Sequence, residues 1–250
     1  MKRLLYTLVI LAGLPAFPCR AQNNHTEAPA PGLPPAFSAY YDVKIGPLKV
    51  GEATRILTWN SSTPHEYTST LKTTGFAGYL LKKSETRVTH FDIHNRLLRP
   101  LDYAYSDNKG NVVAQQFDWH TDTAHSTIGV TKRTYPLEKG SLDQNVYPLQ
   151  IMQDLAQGKK EMMYHITENK KLKDFHIKLQ KKEAIDTYLG RLDTLVVHAD
   201  TEFFSTSLWC APSLQYLPVQ IQYAESGLTF TAYLTRLEGA FPLLPSGNID

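Results

Sequence analysis

The chain is short of cysteine. Its 250 residues contain two, Cys19 and Cys210. A disulfide framework and a thiolate zinc site are therefore excluded, and the fold has to rest on a sizeable core. Charge of one sign is missing too: 26 Lys and Arg stand against 24 Asp and Glu, a net +2. A dedicated nucleic-acid binder needs many phosphate-neutralising cations, so that class drops out. Beyond the N-terminus no segment approaches eighteen consecutive apolar residues, which leaves no helical membrane span. Signature motifs are also absent. There is no Gly-x-Ser-x-Gly nucleophile turn, no His-Glu-x-x-His zinc helix and no Gly-x-x-x-x-Gly-Lys phosphate loop. Pro and Gly together make 29 of 250 residues and hydrophobic residues 42%, the composition of a globular protein rather than a disordered one.

The N-terminus carries a targeting pattern. Lys2 and Arg3 precede an uncharged apolar run from Leu4 to Phe17, and Pro18-Cys19-Arg20-Ala21 ends in a small residue. A basic start, an apolar middle and a short cleavage region read as a secretory signal peptide over residues 1–21, cut after Ala21. Its loss leaves 23 basic against 24 acidic residues, because Lys2, Arg3 and Arg20 go with it. The expectation is a periplasmic protein with no membrane span after cleavage. Lipid on Cys19 is disfavoured because Phe17-Pro18 precede it, and Cys210 is left as a buried small hydrophobe. Residues 22–35 are rich in Pro, Asn and Ala and read as an extended linker. A single β domain is expected over 36–240, with a tail at 241–250.

From Phe37 onward the apolar pattern has period two. In 66–72, Tyr67, Ser69 and Leu71 oppose Glu66, Thr68, Thr70 and Lys72. Val219, Ile221 and Tyr223 do the same against Gln220 and Gln222, as do Leu228, Phe230, Ala232 and Leu234 against Thr229, Thr231 and Tyr233. Such alternation puts one face of a strand on a core. Further strands are expected at 37–45, 51–59, 84–93, 101–106, 112–119, 123–130, 160–168, 175–184, 194–200 and 206–210. Asn108-Lys109-Gly110 separates two of them as a hairpin turn. One stretch differs. Leu149, Met152, Leu155 and Ala156 recur at helical spacing, Asp143 or Asn145 can cap the start, Pro148 fits the first turn and Gly158 ends it. The expected fold class is all-β and mainly antiparallel, a curved sheet or barrel with one short helix plugging an end. A split into two units at the helix is the alternative.

The C-terminal third holds the blocks Tyr188-Leu189-Gly190, Ser207-Leu208-Trp209-Cys210-Ala211-Pro212 and Tyr216-Leu217-Pro218-Val219-Gln220-Ile221. These resemble the bacterial envelope family called domain of unknown function 3108. Tyr41-Asp42-Val43 through Val50-Gly51-Glu52-Ala53 resembles that family's first hairpin. Thr73-Thr74-Gly75, Arg99-Pro100-Leu101 and Phe117-Asp118-Trp119 resemble its next elements, and Asp143 with Tyr147 its mid-chain segment. The likeness spans roughly residues 37–236. It departs at Ser213, where the family tends to carry Asp after Ala-Pro. The resemblance implies a secreted β-rich fold and brings no catalytic residues.

Three constellations remain as candidate sites. His90, Asp92 and His94 share one face of a strand and could hold zinc or copper. Lysines cluster between 159 and 182, with Lys170, Lys171 and Lys173 at a hairpin tip suited to acidic glycan or lipid head groups. Phe76, Tyr79 and Leu80 lie in the apolar stretch 75–81, hinged by Gly75 and Gly78 and placed to touch a lipid at a barrel mouth. Trp209 joins them as an aromatic at the edge of the core. The leading expectation is a non-enzymatic protein binding an amphiphilic lipid or glycan ligand or an envelope partner protein, with no cofactor. A metal-dependent envelope hydrolase and a structural scaffold for envelope assembly are the alternatives.

Overall fold

A computed structural model gives the fold. It describes residues 32–241, apart from 76, 77, 79–81, 169, 170, 201–203 and 226. The signal segment therefore lies outside the described residues, as do most of the linker and nearly all of the tail. Within the stretch read as linker, Leu33 is buried in the main core and the Pro34 carbonyl accepts a 3.0 Å hydrogen bond from Trp59 Nε1.

The chain first lays down β1 (Phe37–Ile45), β2 (Leu48–Thr58), β3 (His65–Thr73), β4 (Ser84–His94) and β5 (Leu97–Asp107). It continues with β6 (Val112–Asp118), β7 (Thr123–Ile128) and β8 (Thr131–Pro136). A two-residue strand, β9 (Leu142–Asp143), leads into helix α1 (Tyr147–Ala156). The second series is β10 (Glu161–Glu168), β11 (Lys171–Thr187), β12 (Gly190–Asp200), β13 (Phe204–Ala211), β14 (Leu217–Glu225) and β15 (Leu228–Gly239). All fifteen described strands join one sheet, ordered from β8 inward to β1, then β15 outward to β9. Neighbours are antiparallel except β9 on β10. The chain starts mid-sheet, winds to one edge, crosses through α1 to the other edge and winds back. β15 then pairs with β1, so the sheet is continuous across the point where a two-unit split would divide it.

The ladder does not close, yet the two wings meet. Thr167 on β10 donates to Gln115 on β6 at 2.8 Å, Thr89 on β4 donates to Asp143 on β9 at 3.0 Å, and the Leu98 amide on β5 donates to Gln150 of α1 at 3.0 Å. Side-chain bonds rather than a strand pair complete the curl. Inside it, α1 buries Leu149, Ile151, Met152 and Leu155 against the main core. A smaller cluster around Tyr103, Val113, Phe117 and Tyr135 fills the β5–β8 wing.

Two local expectations change. The helix is shorter than residues 142–158, because Leu142 and Asp143 pair with β10 instead. Asp143 still serves the helix start, since its Oδ1 accepts the Asn145 and Val146 amides at 2.7 and 2.9 Å. β8, unanticipated, carries only Tyr135 as a buried residue and so has no apolar alternation to read.

Candidate functional site

The concave face is best described by its cross-strand layers. β1 fixes the parity: Phe37, Ala39 and Tyr41 are buried, and their partners on β2 are Leu57, Arg55 and Ala53. Following the register outward, the first layer is Phe37, Leu57, Tyr67, Thr89, Tyr103, Gln115 and Ser126. Every one of these is between 0 and 3% exposed. One step along the same strands lie Ala39, Arg55, Ser69, Arg87, Tyr105 and Val113. Ala39 and Val113 are buried, but Arg55, Ser69, Arg87 and Tyr105 between them are half-exposed. The interior is thus sealed at one layer and opens at the next. The connection between β3 and β4 leaves the sheet on the open side.

The open layer is polar in a particular way. Arg87 reaches Glu85 Oε1 at 2.8 Å, and Lys83 reaches Oε2 of the same buried carboxylate at 2.9 Å. Arg87 also lies over the Tyr105 ring, 5.5 Å from its centre. Arg55 has no such compensation. Among the described residues no carboxylate pairs with it, and its Nη1 is buried without a hydrogen-bond partner. Around it stand Tyr67, whose hydroxyl sits against the guanidinium, and Tyr41 and Tyr147. Burial pushes all three phenols above the usual tyrosine range, so they are neutral at physiological pH. The Tyr41 hydroxyl is already committed to the Pro218 carbonyl at 2.9 Å. Tyr147, half-buried, projects from the first turn of α1.

Beneath this lies the helix start. Asp143 is fully buried; Thr89 and two backbone amides serve Oδ1, and Oδ2 has no partner. Burial dominates over those bonds and pushes its carboxyl up to about 7. Asn145 ties the same corner to the sheet through the Tyr67 carbonyl at 2.8 Å.

Of the residues singled out from sequence, those the structure describes fall elsewhere. Phe76, Tyr79, Leu80 and Lys170 lie outside the described residues. His90, Asp92 and His94 are not brought to one point. His90 Nδ1 is 2.8 Å from Asp102, Asp92 is gripped by two Arg99 nitrogens at 2.8 and 2.5 Å, and His94 is exposed at the end of β4. The bulge opposite His90 has its extra residue on β5, and what keeps the three apart is that His90 and Asp92 are each held by a different neighbour. Among the described residues no three His, Cys, Asp or Glu side chains are placed to share an ion. A surface cleft of about 360 Å³ beside His94 is lined by Leu97, Arg99, Trp119 and Lys139, with Arg99 already paired.

Lys171 is exposed, while Lys173 forms a close ion pair with Glu168. Lys159 pairs with Asp154, Lys178 with Glu161 and Lys181 with Glu183, so most of the basic stretch is locally matched. Trp209 is half-buried at the core edge, donates to Glu183 at 2.8 Å and pairs with Val196 and Gln220, on the wing away from Arg55. Cys210 is buried, and burial raises its thiol well above the usual range. Among the described residues no helix is long and apolar enough to cross a membrane.

Sequence reasoning passed over Arg55 and Arg87. A signal for the first was present: Gly51, Ala53, Leu57 and Trp59 share the parity of Arg55, so the cation interrupts an otherwise apolar face.

Comparison with known proteins agrees with this architecture. The model of a family described as "Protein of unknown function (DUF3108)" matches residues 40–235. No curated protein matches. Among solved structures, the chain is similar to a beta-barrel-like protein of domain of unknown function DUF1849 from Brucella abortus. The two share 8% identity with a TM-score of 0.57, over 82% of this chain and 98% of that one. At that identity the likeness is one of fold alone.

Proposed function

The chain belongs to the family of unknown function DUF3108, and on that premise we propose that it is a non-enzymatic binding protein holding an amphiphilic ligand in its curved sheet. The observation that carries this reading is the change from a sealed to a half-open inner layer within one step along β2–β5. A core built only for stability would close both layers to water at crystal-like density and pair the polar groups within them. Here the second layer mixes guanidinium, hydroxyl and phenol groups with half-exposed Ala53 and Leu71 just beyond. Concave sites with an apolar body and few oriented polar groups suit small amphiphiles. The export-type N-terminus supports a periplasmic location, which puts envelope lipids and glycans within reach.

The test is a titration of delipidated mature protein against a panel of envelope lipids and glycans. Saturable binding to at least one member is expected. A flat response across the panel overturns the reading. Fractionation of cells expressing the full chain, with N-terminal sequencing, is expected to place it in the periplasm beginning at Gln22.

A further inference from the structure

We propose that Arg55 anchors a site for a single anionic head group, a carboxylate or a phosphate, carried on an apolar chain. This rests on the amphiphile reading above and names the charge its ligand must bear. The argument begins with what Arg55 lacks. A guanidinium stays cationic at any physiological pH and presents five donors in a planar fork. Buried cations are paired or hydrogen-bonded, because an unmatched one is costly. Arg55 has a buried Nη1 without a partner, and no described carboxylate pairs with it. Its neighbours Tyr41, Tyr67 and Tyr147 are neutral hydroxyls and cannot cancel the charge. Two oxygens of a carboxylate or phosphate match the fork, and the Tyr67 and Tyr147 hydroxyls stand ready to donate to the same anion.

The neighbouring cation sharpens the assignment. Arg87 occupies the same layer, two strands away across Ser69. It already contacts a carboxylate inside the protein, Glu85, which it shares with Lys83. Among the described residues of this layer Arg55 is thus the cation without a carboxylate contact, and its single fork takes one anionic group. The apolar part of the ligand has somewhere to go. Ala53 and Leu71, one step toward the open side, are half-exposed on the same face. On the other wing Ile221 and Ala232, adjacent in register and joined to β1 through Val43, are half-exposed too.

The experiment is calorimetric titration of the delipidated protein at pH 7.5 with decanoate, decyl phosphate, decanol and inorganic phosphate, all below micelle-forming concentrations. At least one of the two anionic chains is expected to bind about tenfold or more tightly than decanol, the factor a charged hydrogen bond supplies. Arg55→Gln is expected to erase that preference and Arg55→Lys to keep part of it. Equal affinity for decanol and both anionic chains overturns the head-group assignment and leaves the amphiphile reading standing. Failure of all three chains to bind removes the amphiphile reading and this site with it. Inorganic phosphate binding as tightly as decyl phosphate overturns the role given to the chain. The wild-type discrimination decides the matter even where the Gln variant does not fold.

Discussion

Two layers of one sheet, a single register step apart, meet opposite fates. Leu57, Tyr67, Thr89 and Tyr103 are shut away from water, while Arg55, Ser69, Arg87 and Tyr105, their neighbours along the same four strands, remain half-exposed. The strands cannot explain the difference, since each supplies a member to both layers. What differs is what lies opposite. The sealed layer is backed by α1 and the β9 corner, where Asn145 bonds the Tyr67 carbonyl and Thr89 bonds Asp143. The open layer meets the Tyr147 side chain at the first turn of α1. Curvature makes an interior, and the length and position of the helix decide how much of it is filled.

The sharpest way to stress the sealed side is pH. Asp143 is raised by burial to about 7, far above an unfolded carboxyl near 3.8. Between those values the folded state holds a proton that the unfolded state has released, so stability falls as pH rises through the window. The full stabilisation is present below about pH 4 and is gone above about pH 7, a loss of about 4 kcal/mol at 1.4 kcal/mol per pH unit. His90, raised chiefly by its bond to Asp102, also loses stability as pH rises, through the higher range. Asp143→Asn, which mimics the protonated form, isolates the carboxyl. Urea unfolding from pH 4.5 to 6, below the range in which His90 contributes, is expected to show a downward slope in the wild type that the Asn variant lacks. Parallel slopes would place Asp143 in water and undo the sealed layer.

Next in size is Leu57→Ala. Leu57 is 1% exposed within the main core, and truncation there is expected to cost about 3 kcal/mol in urea unfolding, combining lost transfer energy with a cavity. Thr89→Val keeps the shape and removes a hydroxyl that donates to Asp143 and accepts from Asn145 at 3.2 Å. Leaving those buried groups short of a partner is expected to cost about 2 kcal/mol. A loss below about 0.5 kcal/mol in either variant would mean that the sealed layer tolerates water as the open one does.

The sequence disclosed the layers unevenly. β1 was readable to its ends, because Phe37, Ala39, Tyr41 and Val43 alternate cleanly with polar residues. β11 runs seventeen residues, yet only its middle alternates, since a bulge between Leu179 and Lys181 flips the parity and its ends face solvent. β8 hid behind Thr, Lys and Arg because an edge strand needs little apolar surface. The family resemblance was carried by blocks such as Leu208–Pro212 that build hairpins, and the matched family does cover them. The open layer was harder. Ser69 was seen to share a face with Tyr67 and Leu71, but nothing local says that Arg55 lies beside it. That adjacency exists only in the cross-strand register, which depends on pairing partners far apart in the chain. Arginine on a strand reads as surface until its neighbours across the sheet are known.

The smallest expected effect has the opposite sign and separates the two layers most cleanly. Arg55→Met replaces an unmatched cation with an apolar side chain of similar length. Exchanging buried charges for apolar groups of similar volume is often neutral or stabilising. A gain of about 1 kcal/mol is expected in the ligand-free protein, seen as a rise of about 2–4 °C in Tm at this chain length. In the open layer Arg55 thus lowers stability, whereas in the sealed layer Leu57 and Thr89 raise it. A residue that weakens the empty protein yet sits at the mouth of its interior is accounted for by what it binds. A loss comparable to that of Leu57→Ala would show instead that Arg55 holds Tyr67 and Tyr147 in place, and that both layers serve the fold alone.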